Sequence, residues 1–138
     1  SRGSMTIPRE LSLVTIDGQI TLIQNPVKEI LNSGIGDQTF VISPSAAPTG
    51  IRFTRGDGAT FDIGYDSNRK EIYIDRAGAW FDVASTSIHA APFDAKERSF
   101  EIRVITDAGS VELFVDGGRL SITDLLLPGD TPWVASPF

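Results

Sequence analysis

Alternation with a period of two runs through this chain in short bursts, and each burst ends where the sequence has to turn. Two bursts echo each other. The first is Gly64-Tyr65-Asp66 followed by Glu71-Ile72-Tyr73-Ile74-Asp75-Arg76. The second is Ile102-Arg103-Val104-Ile105-Thr106-Asp107 followed by Ser110-Val111-Glu112-Leu113-Phe114-Val115-Asp116-Gly117-Gly118. A β-strand sends alternate side chains to opposite faces, so the pattern sorts residues by face. With Ile72 and Ile74 on a core, Tyr73 and Asp75 point away from it. With Ile102 and Val104 inside, Arg103, Ile105 and Asp107 are outside. In the same way Val111, Leu113 and Val115 oppose Ser110, Glu112 and Phe114. The outward sets mix aromatic rings, carboxylates and a guanidinium, which suits a hydroxyl-rich ligand such as a sugar.

The same alternation marks strands at 11–14, 19–24, 39–42, 51–54, 60–65, 71–75, 100–106, 110–115 and 120–126. Turn signals separate them: Asp17-Gly18, the stretch 34–37, Gly56-Asp57-Gly58, Asp66-Ser67-Asn68 and Asp116-Gly117-Gly118. Only 26–32 reads as a turn of helix. Strands at this spacing predict an all-β fold, an antiparallel β-sandwich of the jelly-roll or concanavalin-like kind. Its core is expected to hold Ile51, Phe53, Phe61, Ile63, Ile72, Ile74, Ile102, Val104, Val111 and Leu113. Residues 80–96 break the rhythm and read as one long connection, either a plain surface loop or part of a site.

At 138 residues the chain is long enough for one core without covalent staples, and it contains no cysteine. A net charge of −6 opposes nucleic-acid and anionic-membrane partners, both of which need basic patches. A neutral polysaccharide is untouched by that argument. No stretch approaches the roughly 20 apolar residues of a membrane-spanning helix. Residues 1–5, beginning Ser1-Arg2-Gly3-Ser4, read as a cloning scar, and 6–138 as a single sandwich domain. The chain is expected to be an excerpt, with a signal segment and a catalytic domain upstream.

The order Gly-Tyr-Asp, strand, Asp-Arg, then Asp-x-x-Ser-Val-Glu-Leu-Phe-Val-x-x-Gly and Ile122-Thr123-Asp124 resembles the C-terminal β-sandwich of glycoside hydrolase family 32. That family contains invertases, levanases and inulinases. Thr6-Ile7-Pro8-Arg9-Glu10-Leu11-Ser12-Leu13 is similar to the segment joining its catalytic propeller to the sandwich, and Gln24-Asn25-Pro26-Val27-Lys28-Glu29 to the next landmark. The resemblance covers most of the chain in family order. It implies kinship with sandwiches classed as fructan-binding modules, which hold a terminal fructose. Two departures imply a shortened sandwich: the stretch between Glu29 and Thr39 is brief, and the chain stops soon after Leu127-Pro128. Where relatives carry Asp-Arg-Ser-Ser, this chain has Asp107-Ala108-Gly109-Ser110, so the second arginine of that pattern is missing.

Asp75, Arg76 and Asp107 lead the candidate site. A strand-end aspartate usually ties off its own turn, accepting from nearby backbone N–H groups. Two in echoing motifs, with Arg76 beside one, also suit vicinal sugar hydroxyls, the carboxylates accepting and the guanidinium donating. The resemblance implies that Asp107 is the aspartate that contacts fructose. Glu112 has two readings: a cross-strand pair with Arg103 or Arg119, or one wall of the sugar pocket. Tyr73 and Trp80 are placed to pack on a furanose face, while Trp133 in the tail is expected to plug the core. His89, the one histidine, reads as a surface residue, and no spacing calls for a metal or cofactor.

The resemblance assigns catalysis elsewhere. The family's Asn-Asp-Pro-Asn-Gly, Arg-Asp-Pro and Glu-Cys motifs belong to the propeller and are absent here. The expected function is therefore a non-catalytic, carbohydrate-binding sandwich of a secreted or cell-surface fructan-degrading enzyme, holding terminal fructosyl units of levan or inulin. The alternative is a structural domain that packs on the propeller, or on a second copy in a homodimer, without touching sugar.

Overall fold

The computed structural model describes residues 9–16, 19–26, 36–78, 87–126, 128–129 and 132–138, and every regular element among them is a β-strand. The expected turn of helix at 26–32 lies outside the described residues apart from Pro26, which ends a strand. The chain gathers into two compact units, each made of two separate stretches: Ser1–Phe40 with Glu101–Leu125, and Val41–Phe100 with Leu126–Phe138.

The first unit holds an antiparallel hairpin of β1 (Arg9–Ile16) and β2 (Gln19–Pro26), in register from Arg9 opposite Pro26 to Ile16 opposite Gln19. It also holds a four-stranded sheet built from β3 (Gly36–Ile42), β8 (Phe100–Thr106), β9 (Ser110–Val115) and β10 (Leu120–Leu125), in the order β10-β9-β8-β3. The turn from β9 to β10 explains its own sequence. Asp116 and Gly117 have φ of 52° and 70°, and Gly118 N–H donates to the Val115 carbonyl at 3.2 Å. Two consecutive positive φ values are what a hairpin turn of the I′ type requires, and Asp-Gly supplies them at low cost.

The second unit is a five-stranded sheet of β4 (Thr49–Arg55), β5 (Thr60–Asp66), β6 (Glu71–Asp75), β7 (Ile88–Pro92) and β11 (Trp133–Pro137), in the order β11-β4-β5-β6-β7. Its register sets Phe53 opposite Phe61 and Ile63 opposite both Ile51 and Ile74. Ile51, Phe53, Phe61, Ile63, Tyr65, Ile72 and Ile74 are all buried on one face. Phe53 stacks on Phe61 with ring centres 4.7 Å apart, and Trp133 meets Phe61 edge-on at 4.8 Å. The buried guanidinium of Arg55 lies 4.7 Å from the centre of the Trp133 ring. The tail is thus held as β11 by pairing with β4 and by aromatic packing; Trp133, expected to plug the core, is half-buried and packs against the edge of it.

All ten residues expected in the core are buried. Three expectations need correction. Residues 80–96 contain β7, and the tail contains β11; both are edge strands of one sheet. Edge strands are held by backbone pairing to a single neighbour, so Ile88-His89-Ala90-Ala91-Pro92 needs no apolar alternation and tolerates a terminal proline. The third correction concerns β9, whose six residues are all buried. Glu112, only 1% exposed, and Phe114 do not face solvent, and neither does Ile105 on β8. β9 is buried on both faces, and alternation cannot announce that its polar face is covered too.

Truncating Phe61 to alanine removes a ring that touches both Phe53 and Trp133, so Phe61→Ala should cost about 3–5 kcal/mol of stability. Urea unfolding followed by tryptophan fluorescence measures this, and a loss below about 1 kcal/mol would show that the aromatic stack is incidental.

Candidate functional site

The outer face of the five-stranded sheet carries the polar residues that alternate with its core. Register places Arg52 of β4, Asp62 of β5 and Asp75 of β6 in one row. The Arg52 guanidinium forks onto Asp62, with Nε–Oδ1 at 2.8 Å and Nη2–Oδ2 at 2.9 Å. That bond, and the charge of Asp62, raise the Arg52 pKa above its usual value. Asp75 sits directly across from Asp62, an arrangement of like charges that weakens strand pairing unless something offsets it. Arg52 neutralises one member, and the other commits one oxygen to its own turn: Asp75 Oδ1 accepts from Ala77 N–H at 3.0 Å.

The next row is Gly50, Gly64 and Tyr73. Here glycine is a spatial requirement. A Cβ at Gly50 would run into the β5 backbone at Ile63 and Gly64, and one at Gly64 would strike the phenol of Tyr73. The Tyr73 side chain therefore lies across Gly64 on the neighbouring strand, half-buried against the sheet. Tyr73 and Asp75 line a shallow depression of about 260 Å³ with Pro48, Asp66, Glu71 and Ile88. A smaller hollow of about 130 Å³ adjoins it through Asp75 and contains Arg52, Asp62 and Thr60. Asp66 closes the β5–β6 turn, its Oδ1 accepting from Asn68 N–H at 3.0 Å and from Arg69 N–H at 3.2 Å.

The surroundings of Tyr73 act on its hydroxyl. Burial pushes its phenol above the usual 10.0, and the carboxylates of Asp62, Asp75 and Asp66 push it further the same way. The site can thus present an aromatic surface ringed by hydrogen-bond acceptors, with Arg52 as donor at one end. Among the described residues no group of three or more histidine, aspartate and glutamate side chains is placed to hold a metal ion.

The other expected site residues are distributed as follows. Arg76 is half-buried, gives its backbone N–H to the Ser87 carbonyl at 2.8 Å, and lines neither hollow. Trp80 lies outside the described residues. Asp107 belongs to the first unit, at the β8–β9 turn, where Oδ1 accepts from Gly109 N–H and Ser110 Oγ, both at 2.9 Å. Glu112, in the same unit, is sealed from solvent and faces Ile105 on one side and Thr123 on the other. The arginines expected to pair with it are committed elsewhere, Arg103 to Asp37 at 3.0 and 2.8 Å and Arg119 to Asp116 at 2.9 Å. Sequence reasoning missed Asp62, Arg52 and Asp66. The signal was available in Thr60-Phe61-Asp62-Ile63-Gly64-Tyr65-Asp66, whose polar phase shares the Tyr73 face once β5 is paired with β6.

A raised phenol pKa favours the neutral ring in the folded state. Its stabilising contribution is present below the pKa of an unfolded tyrosine and is lost as pH climbs through the folded value. Asp75→Asn removes one of the three carboxylates responsible while keeping an oxygen for the Ala77 bond. The Tyr73 midpoint is expected to move down towards 10.0. Near-ultraviolet titration of phenolate, with Tyr73→Phe identifying which of the two tyrosines is read, checks this. An unchanged midpoint would mean that Asp75 does not act on the ring.

Comparison with known proteins places the chain. Residues 12–135 match the family described as the C-terminal part of glycosyl hydrolases family 32. Levanase from Bacillus subtilis is 28% identical over 92% of this chain and 24% of its own length. The extracellular exo-inulinase inuE of Aspergillus niger is 27% identical over 94% of this chain and 30% of its own length. Among solved structures, exo-inulinase from Aspergillus awamori superposes with a TM-score of 0.68 at 22% identity, over 90% of this chain and 30% of that one. The chain therefore spans about a quarter to a third of these relatives, and the likeness extends to their β-sandwich fold. The family keeps its catalytic site in the N-terminal propeller, so the chain belongs to glycoside hydrolase family 32 as its non-catalytic C-terminal β-sandwich domain.

Proposed function

We propose that residues 6–138 act as a carbohydrate-binding domain that holds terminal fructosyl units of levan or inulin on the outer face of the five-stranded sheet. The enzyme it serves would carry its catalytic propeller upstream and work outside the cell or at its surface, in keeping with the name of the matched extracellular exo-inulinase. The observation that carries this reading is Tyr73, laid across Gly64 beside Asp62, Asp66 and Asp75 at the edge of a depression. A furanose is apolar on its ring faces and hydroxylated at its rim. An aromatic bed ringed by acceptors matches both parts.

Tyr73 and Asp75 form the centre of the proposed site, with Arg52 as a donor. Arg76 and Trp80 follow on the same stretch of chain. Asp107, half-exposed at its turn, is a separate candidate contact on the first unit, and the burial of Glu112 supports reading it as scaffold. A second reading, support of the propeller without sugar contact, draws on a specific observation. Asp75 and Asp107 each spend an oxygen on their own turn, the ordinary work of strand-end aspartates.

Calorimetric titration with fructose, levan and inulin separates the two readings. A single-sugar site with few charge-assisted bonds should give a Kd on the order of 0.1–1 mM. Asp75→Asn, which preserves the turn, should weaken it about tenfold, the equivalent of ~1.4 kcal/mol. No heat at millimolar concentrations of fructosyl ends would remove the binding reading and leave the supporting one. Purified chain is also expected to release no fructose from sucrose, levan or inulin; reducing-sugar assays check this.

A further inference from the structure

A hollow of about 610 Å³ in the second unit shares no lining residue with the two hollows of the Tyr73 face. Three loops form it: the one leaving β3, the β5–β6 turn and the segment from β7 to β8. Its polar lining is Ser45, Ser67, Lys70, Asp94, Lys96 and Glu97, and Tyr65 stands at its base, 3% exposed. The loops are tied to one another. Ser67 Oγ donates to the Ser45 carbonyl at 2.5 Å, and Asn68 Nδ2 to the Ala46 carbonyl at 3.1 Å. Phe93 N–H donates to the Lys70 carbonyl at 2.9 Å, and Ala95 N–H to Tyr65 Oη at 3.1 Å. The rim is preorganised.

Backbone strain gathers at this rim. Among the described residues four non-glycines have positive φ, and three line the hollow: Lys70 at 53°, Lys96 at 53° and Glu97 at 59°. Elsewhere the same conformation falls to Gly58, Gly117 and Gly118, and to Asp116, whose short polar side chain tolerates it. Long charged side chains are thus kept where glycine would relieve the backbone. Lys96 and Glu97 are the centre of a turn closed by Arg98 N–H donating to the Ala95 carbonyl at 3.1 Å, as Asp116 and Gly117 are in theirs, but with long side chains in place of Asp-Gly; strain of this kind is also found at ligand clamps. The charges also balance, two ammonium groups against two carboxylates. That disfavours a strongly anionic or cationic ligand and suits a neutral one rich in hydroxyls. The volume lies within the roughly 300–1,000 Å³ of small-ligand sites.

We infer that this hollow is a second saccharide site, taking a short segment of a neutral oligosaccharide. Lys70 and Lys96 donate to its hydroxyls, Asp94 and Glu97 accept from them, and Ser45 and Ser67 do either. The inference rests on the reading that the domain binds carbohydrate. It adds a second anchorage that would raise polymer affinity by avidity over that of free fructose.

Amide-resolved NMR titration with an inulin-type oligosaccharide tests it, because each face reports separately. Shifts are expected at 67–70 and 94–97. Combined Lys70→Gly, Lys96→Gly and Glu97→Gly, which relax the backbone, should abolish those shifts and weaken binding there about tenfold, with the thermal midpoint kept. Lys70→Met with Lys96→Met removes the ammonium donors alone and should give the same loss even if the glycine variant unfolds. Shifts confined to 62–75 outside the turn, and untouched by either variant, would overturn the second site and leave the proposed function standing. Shifts confined to the hollow and lost in the variants would uphold the second site and overturn the placement on the Tyr73 face. No shifts at all would overturn both.

Discussion

Everything described for the second unit depends on the register between β5 and β6. Ile63 meets Ile74 on one face, while Asp62 meets Asp75 and Gly64 meets Tyr73 on the other. A slip of one residue would send the isoleucines to solvent and the carboxylates into the core. The penalty for such a slip grows with each buried pair, so the hydrophobic side of the sheet enforces the geometry of its polar side. The candidate site inherits its order from the core: Tyr73 has nowhere to lie except across Gly64.

That dependence explains what could be read in advance. Wherever one face of a strand is apolar and the other polar, as in β5, β6 and β8, alternation gave both the strand and the orientation of most of its side chains. Tyr73 and Asp75 were legible for this reason. β7 and β11 were not, because an edge strand draws its order from a partner's backbone, and neither His89-Ala90-Ala91 nor Ala135-Ser136-Pro137 carries a face to bury. Glu112 shows the opposite failure. Its strand alternates correctly, yet both faces are covered, and sequence cannot tell a polar residue facing water from one enclosed with its interactions inside the protein. Asp62, Arg52 and Asp66 needed one further step, pairing β5 with β6, which local pattern alone does not supply.

The aspartates illustrate how one residue type divides its labour. Asp57, Asp66, Asp75, Asp94 and Asp107 each accept a backbone N–H two residues ahead. This is ordinary turn chemistry, and it weakens any claim that a strand-end aspartate exists for a ligand. What separates Asp75 and Asp66 from the rest is a second carboxylate across the β5–β6 pair, Asp62 and Glu71 respectively, which turn-making does not require.

Opposed carboxylates and left-handed lysines share a physical logic. In each case the sequence holds a side chain where local energetics argues against it: like charges face one another across β5 and β6, and long side chains occupy φ values that glycine adopts freely. Stability alone would exchange Asp62 or Asp75 for threonine and Lys70 or Lys96 for glycine. Their two locations are distinct, one on the flat of the sheet and one at its loops, and the compensation differs. On the flat, Arg52 and the Ala77 bond offset charge. At the loops, hydrogen bonds between neighbouring segments hold the strained backbone in place. Both arrangements present fixed donors and acceptors to solvent, and that is the requirement for recognising hydroxyl groups one at a time.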